Sequence, residues 1–77
     1  MKPEKVFRIG SVSASVFVNE VEQGKRQVRN VNLQKRYRDG DEWKSSTSFG
    51  LPELPQAMAV LDLVMKYVAD KEAEVAG

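Results

Sequence analysis

The chain has 77 residues, with twelve Lys and Arg against eleven Asp and Glu, and it contains neither cysteine nor histidine. That composition excludes disulfides, zinc sites built from Cys and His, and Cys–His nucleophile–base pairs. It leaves room for one domain that buries only about 60% of its unfolded surface, so pairing with a second copy is the expected extra stabilisation.

The opening "MKPEKVFRIG" has no apolar core and no cleavage site of a signal peptide. The most apolar stretch, residues 57–69, is interrupted by Asp62 and Lys66 and is too short and too charged to span a bilayer. A soluble, cytoplasmic protein is expected. Residues 1–77 form a single domain, with a structured core over 6–70 and flexible ends over 1–5 and 71–77.

Residues 6–21 are rich in β-branched side chains and alternate as a strand does. Phe7 and Ile9 share one parity; Val12, Ala14, Val16 and Val18 share the other. The phase changes at Gly10-Ser11, which predicts a bulge or a bend that splits the strand. Ser11, Ser13, Ser15, Phe17 and Asn19 fall on the opposite side, so Phe17 is an aromatic on an otherwise polar face.

"EQGK" around Gly24 reads as a turn. "QVRNVNLQKRYR" then alternates again. Arg29, Val31, Leu33, Lys35 and Tyr37 share one face, and Asn30, Asn32, Gln34, Arg36 and Arg38 the other. "DGDE" is a hairpin signal, because glycine supplies the positive φ of a tight turn. "WKSSTSFGL" is the next expected strand, with Trp43, Phe49 and Leu51 on one parity. Trp43, Phe7 and Phe49 are expected in the core.

The last element is a helix, with the prolines of "LPELPQ" near its start, where a missing N–H costs little. It is apolar around most of its circumference, more than one covered sheet needs. Val60, Leu61, Val64 and Val68 are the expected dimer contacts. The predicted architecture is α+β: a curved antiparallel meander of three to four strands, then one C-terminal helix, as a homodimer.

Enzyme chemistry is not expected. There is no P-loop, no G-x-G-x-x-G and no H-E-x-x-H, and the serines of "SVSAS" and "SSTS" have no accompanying base. The carboxylates show no metal-ligand spacing, so no metal and no cofactor is expected.

The distinctive feature is residues 25–38, which hold six positive side chains and no negative one, half the positive charge of a nearly neutral chain. A solvated strand face is one reading. A surface that binds polyanions is the other. It is favoured because the charge is of one sign and is interleaved with Asn30, Asn32 and Gln34, which can donate to phosphates or bases. Aromatics beside such charge suit single strands, whose bases stack on flat rings. Phe17 stands open between a stacking surface and a dimer contact. Tyr37 is ambiguous, since its parity mixes Leu33 with Lys35.

"FRIG", a basic strand ending in "KRYRDGDEWK", a short strand and a terminal helix together resemble the positive cofactor four family of single-stranded-DNA-binding transcriptional coactivators, in its bacterial and phage form. The likeness spans about residues 6–68 and implies a positive-cofactor-four/Whirly-like homodimer. It also implies that Tyr37 stands at a stacking aromatic and Lys44 at a phosphate-contacting lysine. Gln34 and Ser11 depart from basic residues of that family, and Lys25 and Arg26 are the nearest substitutes for its aromatic-and-lysine turn.

The expected function is non-sequence-specific binding of single-stranded DNA, with RNA not distinguished, by a small homodimer acting in transcription, replication or recombination. The expected nucleic-acid contacts are Lys25, Arg26, Arg29, Lys35, Arg36, Tyr37, Arg38, Lys44 and Phe17. No membrane and no small-molecule substrate is expected. The alternative is a structural or protein-interaction homodimer whose basic face is merely solvated.

Overall fold

The computed structural model describes residues 2–76, with side chains through Glu72. The ends expected to be flexible lie partly outside those residues. Of what is described, Lys5 already opens the first strand and the helix continues through Ala76.

The elements are β1 (Lys5–Ile9), β2 (Val12–Val21), β3 (Arg26–Asp39), β4 (Glu42–Ser46), a 3-10 turn (Leu51–Glu53) and α1 (Leu54–Ala76). The strands form one antiparallel sheet in the order β1-β2-β3-β4. The α+β layout of meander plus terminal helix is therefore as expected.

The change of phase at Gly10-Ser11 is neither a bulge nor a bend. It is a two-residue hairpin, with Ile9 paired to Val12. A two-residue turn moves the buried set from odd to even positions, which is the same parity signal a bulge leaves. Gly10 holds φ +60 there, and a Cβ on it would stand 2.8 Å from Gln56 Oε1. Ser11 donates to that oxygen from both N (3.3 Å) and Oγ (3.4 Å), so the turn is tied to the helix.

The core is thin. Val12, Ala14 and Val16 of β2 meet Ala57, Val60 and Val64 of α1, with Phe7, Ile9, Leu33, Phe49, Tyr67 and Val68 packed around them. The helical period of 3.6 puts 57, 60, 64 and 67 on one stripe, and that stripe is the covered one. Val60 and Val64, expected at a dimer interface, are corrected to the chain's own core, buried against β2. Val68 packs beside them, and Leu61 alone of the four is exposed.

α1 lies over β1 and β2. On the same side of the sheet, Val31 and Tyr37 of β3 are left exposed. β4 is shorter than predicted, because the chain leaves the sheet after Ser46, where Ser48 N donates to Ser46 Oγ at 3.0 Å. Phe49 reaches the core from this connection. Trp43 does not, and is corrected to an exposed position at 60%.

Two polar clamps fix the remaining pieces. Glu53 Oε1 accepts from Lys35 Nζ at 2.6 Å and from Gly50 N at 2.9 Å, joining the helix entry to β3. Arg29 forks onto Glu4 at 3.0 and 3.1 Å, joining β3 to the segment before β1.

Candidate nucleic-acid interface

Residues paired across an antiparallel ladder share a face, so the strand registers sort every side chain onto one of two surfaces. The surface under the helix carries Lys5, Phe7 and Ile9 of β1, and Val12, Ala14, Val16 and Val18 of β2. From β3 and β4 it carries Arg29, Val31, Leu33, Lys35, Tyr37 and Lys44. The open surface carries Val6 and Arg8, Ser13, Ser15, Phe17 and Asn19, then Arg26, Val28, Asn30, Asn32, Gln34, Arg36 and Arg38, and finally Trp43 and Ser45.

The expected contacts are therefore split between the faces. Arg36, Arg38, Arg26 and Phe17 stand on the open surface. Arg29, Lys35, Tyr37 and Lys44 stand on the other. Lys25 lies in the β2–β3 turn, where Glu22, Gln23 and Gly24 all take positive φ.

Three of the four cations that the strands place on the helix side are already paired with carboxylates, and the fourth, Lys5, lies over the Phe7 ring with its Nζ 5.6 Å from the ring centre. Arg29 is 6% exposed and held by Glu4, with its Nη1 buried, lacking a hydrogen-bond partner and 4.0 Å from Glu72 Oε1. Lys35 is held by Glu53, and Lys44 by Asp39 at 2.9 Å. Arg29 and Lys35 are corrected from phosphate contacts to internal clamps, because their charges are spent inside the fold. The Arg29 guanidinium, then burial, set the Glu4 carboxyl, with a net shift below its ordinary range. The Lys35 ammonium, helped by the Gly50 amide, holds Glu53 low as well. Glu4 in turn raises Arg29 above its ordinary value.

The open surface is different in kind. The strands present to it four arginines, Arg8, Arg26, Arg36 and Arg38, and none of their acidic residues. Among the described residues only Arg26 has an acidic partner there, a loose and exposed contact to Glu22 at 3.8 Å. The guanidinium carbons of Arg36 and Arg38 lie 5.3 and 5.9 Å from the centre of the Trp43 ring. Arg38 Nε also donates to Gly40 O at 3.1 Å, which fixes its direction. A planar, permanently charged guanidinium suits phosphate, and an indole face suits a base.

Two residues of this surface were not reached from the sequence. Arg8 lies outside the basic stretch, so the clustering of charge does not point to it. Trp43 shares the parity of Phe49 and Leu51, but that parity holds only if the strand continues past Ser46, where β4 ends. The signal that was available is the "RDGDEW" hairpin, which sets Trp43 directly opposite Arg38.

Between Arg36 and Arg26 the open surface is neutral, with Asn30, Asn32, Gln34 and the serines of β2. Phe17 lies opposite Asn30 and is half-buried. A groove of about 610 Å³ lies at the β2–β3 turn and is lined by residues 24–29 together with Glu72.

Comparison with protein-family models, curated proteins and solved structures gives no match for this chain. Among the described residues no helix is long and apolar enough to cross a membrane, and no group of three or more acidic residues could hold a metal ion.

Proposed function

We propose that the chain binds single-stranded nucleic acid through the open face of its sheet, as a homodimer, without an enzymatic activity of its own. The observation that carries this reading is the separation of charge by face. The helix-side cations Arg29, Lys35 and Lys44 are paired with carboxylates, whereas the open face holds Arg8, Arg36 and Arg38 beside an exposed indole, and the acids of the strands all fall on the other face. A merely solvated surface intersperses its signs; this one does not. The resemblance to the positive cofactor four family points the same way, although its stacking aromatic corresponds here to Tyr37, on the other face. A role in transcription, replication or recombination follows from the ligand class.

The partner for the homodimer is read from α1. Leu54, Met58, Leu61 and Met65 recur at the spacings 4, 3 and 4, and all are exposed. They form an apolar stripe beside the one that covers β2. Val31 and Tyr37, exposed on the helix side of β3, extend the surface left to cover. A second copy offers the same stripe, as two-fold pairing requires.

The test compares charge changes on the two faces. Reversing Arg36 and Arg38 to Glu abolishes binding to a labelled single strand while the fold and the dimer survive. Lys44→Glu, on the helix-side face, has a much smaller effect. Equal effects from the two faces, or none from the arginines, would remove the open face from the mechanism.

A further inference from the structure

The open face is not uniform along its length. Its unpaired arginines and its indole gather at the end nearest the β1–β2 hairpin. There they line a cleft of about 320 Å³ formed by Arg8, Gly10, Ser11, Arg36 and Trp43. The cleft runs across the strands, from β1 to β4, rather than along the basic strand. Three strand spacings of about 4.8 Å make that crossing roughly 14 Å long.

Its walls are fixed from behind. Ser11 is held by Gln56 of the helix, and Arg36 N donates to Ser11 O at 2.9 Å, so hairpin and β3 move as one. Arg36 and Arg38 lie over the Trp43 ring and limit its rotation. Such pre-organisation lowers the ordering cost of a ligand.

We propose that this cleft is a seat for one or two nucleotides: an unpaired base lies against the Trp43 indole, and its phosphate is taken by Arg8 and Arg36. The proposal rests on the single-strand reading above and makes it local. Binding is anchored in the cleft, and the neutral middle of the sheet adds little. The ligand needs a flat π-face and an anion a short distance apart, which a nucleotide supplies. It also needs the base to be unpaired, since a base inside a duplex presents no free face.

The tryptophan is the only one in the chain, so it reports on the cleft directly. The full chain is titrated with a 5′-phosphorylated deoxyadenosine dinucleotide, with inorganic phosphate, and with a single-stranded oligonucleotide, following Trp43 emission. Anisotropy of the same labelled oligonucleotide is then measured for Trp43→Ala, Trp43→Phe and Arg8→Gln, each checked by thermal melting.

The dinucleotide and the oligonucleotide should both change Trp43 emission saturably, whereas inorganic phosphate alone should not. Trp43→Ala should weaken oligonucleotide binding by about 5- to 150-fold, the loss of one base stack. Trp43→Phe should keep most of the affinity, and Arg8→Gln should lose part of it. An oligonucleotide that binds the parent and Trp43→Ala equally, with unchanged emission, overturns the cleft and leaves single-strand binding by the sheet standing. No oligonucleotide binding even at low salt overturns single-strand binding itself. A dinucleotide response that persists in that case upholds the cleft as a site for free nucleotides, and no response to either ligand overturns both.

Discussion

Gly10 and Glu53 show how single residues hold this fold. Gly10 sits at positive φ with Gln56 against the place a side chain would occupy. Gly10→Ala should therefore destabilise the protein by about 1–2 kcal/mol or more from the backbone alone, read as a lowered denaturant midpoint. Glu53 is held below its ordinary pKa of 4.5 by Lys35 and the Gly50 amide. A depressed folded pKa means stability that is fully present above 4.5 and fades as pH falls through the lower folded value. Denaturant midpoints measured from neutral pH downward should decline below that point, and Glu53→Gln should flatten the decline. Nucleic-acid binding should not follow the same curve. The open-face cations are all arginines, which stay charged throughout, so affinity should be flat between about pH 5.5 and 9.

At the level of elements, alternation within each strand was legible in the sequence and largely decided the fold. The parity of residues 12–18 and of 29–38 placed each side chain on its face, and the turns at Gly24 and Gly40 fell where expected, whereas Gly10 makes a hairpin turn in place of the expected bulge or bend. What alternation did not give is which cations would find carboxylates. Arg29 and Arg36 look alike in a basic run. They differ because Glu4, far away in sequence, reaches one and no acid reaches the other. Trp43 departs from the parity of Phe49 for a related reason: parity carries across a strand only while the strand lasts, and β4 stops at Ser46. The β2–β3 ribbon also runs past its neighbours, since β1 pairs only as far as Val16 and β4 only with residues 35–39. A bare two-stranded ribbon is marginal in water. Amide exchange should accordingly be fast at 19–28 and slow at 12–16 and 31–35.

The backbone spans 47 × 24 × 15 Å, a sheet with a helix over only part of one face. The two sides of α1 have different fates on this account. Val64→Asp places a charge in the core and should unfold the chain. Met58→Asp and Leu61→Asp change the exposed stripe and should leave a folded monomer, seen as halved mass by light scattering with an unchanged far-ultraviolet spectrum. A dimer that survives both stripe substitutions would move the interface elsewhere. The claim that matters most is that the acid-free face takes single strands. It is tested by anisotropy with a labelled oligothymidine against a duplex of the same length. At about twenty nucleotides it is longer than the roughly 4–16 nucleotide sites of small single-strand binders. Four open-face arginines at roughly −0.7 each predict a log–log salt slope near −3, a fall of about 60-fold between roughly 50 and 200 mM salt. Preference for the single strand with that slope is the predicted result. Absence of binding at the lower salt would contradict it and make the arginine face a solvated surface of an interaction dimer.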